Sequence, residues 1–332
     1  MPENAATGVF PCNTRRPEPI QQVIRMLEPA KFPESITVFE RGWLSSNNIL
    51  IVGPESTALI DSGYGAHADQ TLLLVQSALN GRALNVLLNT HLHSDHCGGN
   101  AALQQAYPAS TTLIPPGLAE HVSPWNPEAL TYTPTGQHCP PFRFDDVLTP
   151  GTERQLGDLL WQVHAAPGHD THSVILFEPV SRTVISADAL WERGFGVVFP
   201  ELEGEDAFDE VGQTIDLIES LKPQTVIPGH GPAFTGVAKA IRVARERLDS
   251  FVANPGKHIQ YAAKVLIKFR LLEVQSTSLS ALISWAKATS YVVMIFNTHF
   301  ADQAFSSWVT GLVQDLIRSG AASQDAGMIR NA

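Results

Sequence analysis

The sequence predicts an α/β protein of the α+β kind, in which two β-sheets pack face to face under outer helices and a C-terminal helical segment follows. Short β-rich runs come first, in the stretches ITVFE, NNILIVG and TALIDSG. Strands then alternate with helices as far as about residue 255, and from residue 256 the pattern is only helical. A strand meander followed by alternating strands and helices favours two packed sheets covered by helices.

Each later element has its own signal. The stretch HADQTLLLVQSALNG has helical spacing and ends at Gly81, and ALNVLLNT reads as a buried strand that ends at Thr90. Residues 120–144 are rich in proline and aromatic residues without a clear period, which predicts an insertion or a lid. Strands resume with DLLWQVHAA, HSVILFEP and RTVISADAL, and the helix AFDEVGQTIDLIESL, the short strand QTVIPG and the helix VAKAIRVARERLDSFVA follow.

These patterns divide the chain into three predicted segments. Residues 1–34 are expected to form an N-terminal arm, residues 35–255 the main domain, and residues 256–332 a C-terminal helical domain. The last segment carries seven Lys and Arg against four Asp and Glu, in a chain whose net charge is −11. Its helices have apolar faces, so docking on the main domain or on a second subunit is expected, which leaves a homodimer open.

Composition disfavours several classes of function. A net charge of −11 argues against broad binding to nucleic acid or to an anionic membrane. No apolar stretch is long enough and free enough of charge to span a bilayer, and the N-terminus lacks the apolar region of a secretory signal. Three cysteines, Cys12, Cys97 and Cys139, are too few for a disulfide framework. A cytoplasmic protein with neither membrane nor nucleic acid as partner is therefore expected.

Three histidines and an aspartate lie within six residues in THLHSDHCGGN, on a predicted strand-to-helix loop. His91 and His93 are two residues apart, so in an extended segment they point the same way. Asp95 and His96 follow where the chain turns, and could face a second ion close by. Imidazole is the commonest metal-binding side chain, and four such polar groups are costly to bury without a partner. The cluster therefore predicts a metal site, with a solvated His-rich turn as the alternative.

Three later strand ends each present a further donor side chain. His169 stands in AAPGHDTHS, Asp188 ends the run ISAD, and His230 stands in VIPGHGP. Each is adjoined by a glycine or another small residue, as expected where the backbone packs tightly around a site. If these strand ends meet at one edge of the sandwich, their side chains form a single site.

The motifs together resemble the metallo-β-lactamase-fold superfamily of metallo-hydrolases. Asp61 in LIDSG, then HLHSDH, PGHDTHS, SADAL and PGHGP, stand in the family's order over roughly residues 35–252. The resemblance implies an αββα sandwich as the catalytic domain, with the C-terminal helical domain appended. The true β-lactamases lack a bridging aspartate, so Asp188 favours the glyoxalase II-like and lactonase-like branch, as well as the phosphodiesterase branch.

The resemblance also implies a role for each motif residue. It assigns the metal ligands as His91, His93 and His169 for a first ion, and Asp95, His96 and His230 for a second, with Asp188 bridging both. Asp95 and Asp188 would also be the catalytic residues. Asp61 would orient the ligand loop through hydrogen bonds, unless it is simply a turn residue after its strand.

Several other side chains carry weaker predictions. His172, Trp125 and Trp191 are predicted to contact the substrate, although His172 is equally expected to cap the next strand. Cys97 directly follows the ligand motif and is read as a small packing residue, because the ligand set is already full. Five further histidines show no ligand context and are expected at the surface or in ordinary packing: His67, His121, His164, His258 and His299.

The predicted cofactor is a pair of divalent ions, with Zn²⁺ expected and Fe or Mn as alternatives. Two ions about 3.5–4 Å apart can share a water and lower its pKa toward about 7. The predicted reaction is attack by this metal-bridging hydroxide on an ester-like acyl bond, a thioester or a lactone, of a small molecule. Two alternatives stay open: a phosphodiesterase or nuclease of the same fold, and an iron-dependent persulfide dioxygenase.

Overall fold

The computed structural model describes residues 31–332. Cys12 and nearly all of the predicted N-terminal arm therefore lie outside the described residues. The two larger sheets contain strands β1 (Ile36–Phe39), β2 (Asn48–Val52), β3 (Thr57–Ile60), β4 (Val86–Leu88), β5 (Thr111–Ile114), β6 (Asp146–Val147), β7 (Glu153–Leu156), β8 (Leu159–Ala165), β9 (Val174–Glu178), β10 (Thr183–Ala187) and β11 (Thr225–Pro228). The helices along this part of the chain are α1 (Ala68–Leu79), α2 (Ser94–Cys97), α3 (Asn100–Ala106), α4 (Ala119–Val122), α5 (Tyr132–Thr135), α6 (Phe199–Leu202), α7 (Ala207–Leu221) and α8 (Val237–Ala253).

The strands form two mixed sheets. The first has the order β1-β2-β3-β4-β5-β6, with β1 to β3 antiparallel and β3 to β6 parallel. The second has the order β11-β10-β9-β8-β7 and is antiparallel except for the parallel pair β10 and β11. Parallel neighbours need crossover connections, and α1 and α7 supply two of these.

The period of two along each strand decides which core a side chain enters. In β2, Ile49 and Ile51 join the core between the two sheets, whereas Leu50 packs in the cluster that holds residues of α1 and α3. In β9, Leu176 enters the core between the sheets, whereas Phe177 packs with residues of α7 and α8. The two sheets therefore lie face to face with helices on both outer sides, and the predicted αββα architecture is confirmed.

The chain after α8 combines helices with a small sheet. It contains α9 (Pro255–Val274), α10 (Leu279–Ala288), α11 (Ser290–His299), α12 (Phe305–Arg318), and the strands β12 (Ser276–Ser278), β13 (Ala322–Asp325) and β14 (Met328–Asn331) in the order β12-β14-β13. The expectation of an only helical pattern is wrong at these strands. They are three or four residues long and mostly polar, so they show no apolar alternation.

Among residues 31–332, no single helix has the length and apolar run needed to cross a bilayer. Helices α10 and α11 pass that test only when they are taken as a pair, and the chain bends by 87° between them.

Candidate metal centre

The predicted donor side chains lie on loops at one edge of the sandwich. His91 and His93 follow β4, and Asp95 and His96 lie in the short helix α2 directly after them. The remaining donors follow strands of the second sheet, with His169 after β8, Asp188 after β10 and His230 after β11. Both sheets thus deliver their donors to the same edge.

Three ring nitrogens form the first group of donors. His93 Nδ1 lies 3.0 Å from His91 Nε2 and 2.9 Å from His169 Nε2. Burial lowers the pKa of His91 well below its ordinary value, and the neighbouring imidazoles of His96, His93 and His169 lower it further. Burial together with His93 also lowers the pKa of His169 to about 4. His91 and His169 are therefore neutral near pH 7, and neutral imidazole is the form that binds a metal.

Carboxylates join the second group of donors. Asp95 Oδ2 lies 3.2 Å from His230 Nε2, and Asp188 Oδ1 lies 3.5 Å from His96 Nε2. Asp188 Oδ2 lies 3.4 Å from His169 Nε2 and 3.8 Å from His230 Nε2, so this carboxylate stands between the two groups. Burial alone would raise the pKa of Asp188, but the attraction of His230 and His96 outweighs it and holds the pKa well below its ordinary value.

His96 shows most directly that the cluster suits a cation. Its Nδ1 donates to Asp61 Oδ2 at 2.7 Å, while its fully buried Nε2 has no hydrogen-bond partner. Burial disfavours charge on this ring, but Asp61 and Asp188 outweigh burial and raise the pKa of His96 well above its ordinary value. A divalent cation beside Nε2 would lie next to the Asp188 carboxylate and give this buried nitrogen a partner, while Nδ1 keeps its proton for Asp61. The donor set therefore fits metal ions.

Asp61 ties the ligand loop to the first sheet. It accepts hydrogen bonds from the backbone nitrogen of Thr90 and from Thr90 Oγ1, both at 2.8 Å, in addition to the bond from His96. Its φ is 58°, in the left-handed region that is uncommon for residues other than glycine. This backbone geometry turns the carboxylate toward the loop that carries the histidines.

Two more groups orient the imidazoles, and neither was predicted. Asp170 Oδ2 lies 3.8 Å from His93 Nε2, on the opposite side of the ring from the donor nitrogen Nδ1. His169 Nδ1 donates to the carbonyl oxygen of Val197 at 2.5 Å. The sequence offered one signal for Asp170, its position directly after a predicted ligand, and none for Val197.

Glycines make room for the donors, as the sequence predicted at the PGHGP motif. A Cβ atom on Gly229 would lie 2.2 Å from Asp188 Oδ1 and 3.0 Å from His96 Cε1. A Cβ atom on Gly196 would lie 2.4 Å from His169 Nδ1. Neither position has space for a larger residue.

The donor cluster opens into a cavity of about 490 Å³. Trp43, which no pattern in the sequence singled out, stacks on His230 with ring centroids 5.3 Å apart and an interplanar angle of 11°. Trp191 meets Trp43 edge to face at 5.3 Å, and its Nε1 donates to Asp188 Oδ1 at 3.3 Å. The two indoles therefore form one wall beside the donors.

Comparison with known proteins identifies the family to which this chain belongs. Residues 41–230 match the profile described as the metallo-beta-lactamase superfamily. The chain belongs to the metallo-β-lactamase superfamily. It is 29% identical over 145 residues to a hydroxyacylglutathione hydrolase of Idiomarina loihiensis. The matched residues make up 44% of this chain and 46% of that protein. It is 25% identical over 225 residues to the acyl-coenzyme A thioesterase MBLAC2 of Bos taurus, 62% of this chain and 80% of that protein.

Solved structures of the superfamily resemble the chain over nearly its whole length. A beta-lactamase domain protein from Burkholderia ambifaria has a TM-score of 0.56 and 17% identity, and the match covers 93% of this chain and 97% of that one. A metallo-beta-lactamase family protein from Thermus thermophilus has a TM-score of 0.53 and 14% identity, with 90% and 99% covered. At such identities the likeness shows the fold alone.

The chain spans about half the length of the hydroxyacylglutathione hydrolase that it matches.

Two of the three residues predicted to contact the substrate face the cavity, and the third does not. Trp191 and His172 line the cavity of this superfamily member. Trp125 does not, because its ring packs against Tyr132 and Phe142 at 5.8 and 5.3 Å, inside the proline-rich segment of residues 120–144. That segment turns its aromatic side chains inward onto the ligand loop, where they form a small apolar core.

Cys97 belongs to the same small core in this member of the superfamily. Its Sγ lies 3.2 Å from Tyr132 Oη, 3.2 Å from the carbonyl oxygen of His93 and 3.8 Å from Cys139 Sγ. Burial raises the pKa of the Cys97 thiol well above its ordinary value, and the contact with Cys139 adds to this rise. A neutral thiol with these contacts is a packing residue, as predicted.

Proposed function

We propose that the protein is a dinuclear metal-dependent hydrolase that cleaves an ester-like acyl bond, a thioester or a lactone, of a small molecule. The observation that carries the proposal is the meeting of five imidazoles and two carboxylates from both sheets beside one cavity. The relatives described as a hydroxyacylglutathione hydrolase and an acyl-coenzyme A thioesterase support thioester chemistry.

Two ions would be held by the two donor groups. The residues that would bind them are His91, His93 and His169 for one ion, and Asp95, His96 and His230 for the other, with Asp188 between both. Bound ions would supply a Lewis acid and a water of lowered pKa, and Zn²⁺, Fe and Mn all suit nitrogen and carboxylate donors. Zn²⁺ is the ion we expect.

The side chains around the donors have the remaining tasks. Asp95 lines the cavity, so its carboxylate is placed to accept a proton from the attacking water and to return it to the leaving group. His230 Nε2 lies 3.2 Å from Asp95 Oδ2, so the two side chains would bind the same ion and that ion would fix the carboxylate. The indoles of Trp43 and Trp191 limit the access of bulk water to His230.

Metal analysis combined with a substrate panel tests this proposal. Protein purified without added metal is assayed for metal content and against thioesters, lactones, β-lactams and phosphodiesters. We expect about two ions per chain and cleavage of a thioester or lactone. Asp188→Ala should lose metal and at least about a hundredfold in kcat/KM, since it removes a charged group that contacts both donor groups.

The matched control is Asp302→Ala, because Asp302 is exposed. It should retain wild-type metal content and rates. Near-full turnover by the Asp188 variant would refute the two-metal mechanism, and phosphodiester cleavage without cleavage of any acyl substrate would favour the phosphodiesterase alternative.

A further inference from the structure

Helix α9 has two apolar faces. Side chains on one face, among them Ala263, Ile267 and Leu271, are buried in the core formed with α10, α11 and α12. Tyr261, Val265, Phe269 and Leu272 line the cavity, and Tyr261 and Val265 also pack at the edge of that core. Val265 and Phe269 are only half-buried, so this second face is in contact with the space of the cavity.

The rest of the cavity wall is partly apolar, with the polar side chains of Thr131, Thr135 and Gln137 among the apolar ones. Its apolar side chains come from residues 118–144 and from the chain around α6, namely Leu118, Ala129, Leu130, Val197, Phe199 and Pro200. We call the space between these side chains and the cavity face of α9 the acyl chamber. Since the metal ligands His93 and His169 line the same cavity, the acyl chamber is continuous with the donor cluster.

Charge at the chamber is mostly negative. Asp170 and Glu203 line the cavity in addition to the carboxylates of the donor cluster. Lys268 also lines it, but its Nζ donates to the carbonyl oxygen of Ala321 at 2.5 Å and to Asn331 Oδ1 at 2.6 Å. The ammonium group is thus directed toward the small sheet, and among the described residues no other lysine or arginine lines the cavity to pair with an anionic ligand.

We propose that the acyl chamber binds a straight, uncharged hydrocarbon chain on the acyl side of the substrate, so that the enzyme prefers lipophilic acyl compounds to short or anionic ones. The reaction itself rests on the proposed function, whereas the binding of the chain rests on the chamber alone. The whole cavity, which combines the chamber with the space beside the donors, has a volume of about 490 Å³, within the range of about 300–1,000 Å³ found for small-molecule sites. Each methylene buried there is expected to strengthen binding by up to about fourfold.

The binding test uses straight-chain alcohols from butanol to decanol as probes of metal-loaded full-length protein, with isothermal titration calorimetry as the readout. We expect Kd to fall by up to about fourfold per methylene until the chamber is full. Val265→Trp fills the chamber and should abolish this dependence. The matched control Val252→Trp makes the same change at a position that is 57% exposed, and should behave as the wild type does.

A second variant at the same position tests the chamber without filling it. Val265→Thr preserves the volume of the side chain, and it should weaken decanol binding at least about threefold while leaving butanol unchanged, even if the tryptophan variant does not fold. A Kd that is independent of chain length in the wild type would overturn the inference, as would long-chain binding that survives both Val265 substitutions.

Activity measurements separate this inference from the proposed function. With a series of acyl thioesters from acetyl to decanoyl, Val265→Trp should lower the ratio of kcat/KM for the decanoyl compound to that for the acetyl compound at least about tenfold, whereas the exposed-site variant Val252→Trp should leave that ratio unchanged. Hydrolysis whose rate does not depend on chain length would refute the binding of the chain in the acyl chamber, but it would leave the proposed hydrolase activity intact. If alcohols bind more tightly as they lengthen but no acyl compound is hydrolysed, the proposed hydrolase activity is refuted and the binding role of the acyl chamber stands.

Discussion

The donor cluster and the acyl chamber share one cavity, but different forces build them. In the donor cluster the rings and carboxylates are held by directional bonds, such as those from His96 to Asp61 and from His169 to Val197. In the chamber, Val265, Phe269 and their neighbours are placed by the packing of a helix on its own core. Directional bonds require particular residue types at particular positions, whereas an apolar wall accepts many residues of suitable size. Chemistry should therefore be sensitive to atomic changes in the cluster, and selectivity to changes of volume in the chamber.

The largest expected effect comes from Gly229→Ala. The added methyl group would meet Asp188 Oδ1 at 2.2 Å, so the loop or the carboxylate must move. Because displacement of about 1 Å at a reacting centre costs about a hundredfold in rate, kcat/KM should fall at least that much, and metal content should fall with it. Gly236→Ala is the control, since no atom lies within 4 Å of its added Cβ. Equal activity of the two variants would show that the cluster is more tolerant than its geometry implies.

A smaller effect is expected from Asp61→Asn, which tests the support beneath the cluster. Asparagine tolerates the left-handed backbone at this position, but its amide group replaces an oxygen that accepts from Thr90 and His96. Metal affinity should fall about tenfold to a hundredfold, as measured by competition with a chromogenic chelator. The exposed Asp69 provides the control Asp69→Asn. Unchanged affinity in Asp61→Asn would mean that its hydrogen bonds do not position the ligands.

The smallest effect is expected from Trp43→Ala, at the border between the two regions. The indole is 56% exposed and stacks on His230, so its loss removes an aromatic contact without removing a donor. Such contacts contribute about 0.5–1.5 kcal/mol, which predicts a roughly threefold to tenfold higher KM with kcat and metal content within about twofold. Trp43→Phe should recover most of the KM. A loss of metal from Trp43→Ala would place this indole within the donor cluster rather than at its border.

Most of the sandwich could be predicted because its patterns are local. The apolar run of β4, the helical period of α7 and the helical period of α8 appear in the sequence with the boundaries that the structure gives them, or nearly so. The three-stranded C-terminal sheet was missed because polar strands such as Ser276–Ser278 are held by pairing with β14 rather than by alternation. The assignment of residues 256–332 as a separate domain stays a prediction, as does a homodimer.

The donor residues of the site could also be predicted from the sequence, whereas several of the side chains around them could not. The seven predicted donor residues lie together in the structure, as expected from strand ends that share an edge, while their binding of ions stays a prediction. Trp43 and Asp170 were missed because one contacts His230 and the other His93 only through the folded chain. The prediction for Trp125 fails because its ring packs against Tyr132 and Phe142, contacts that no local pattern in the sequence indicates.

The division of the donors between two sheets has a consequence for how the protein matures. His91 and His93 follow a strand of the first sheet, whereas Asp188 and His230 follow strands of the second. During synthesis the first loop emerges long before β11, and alone it offers an incomplete set of ligands to any ion. The full set exists only once the sheets have packed together, so an ion bound by all of these donors would report a completed fold and would tie its two halves together.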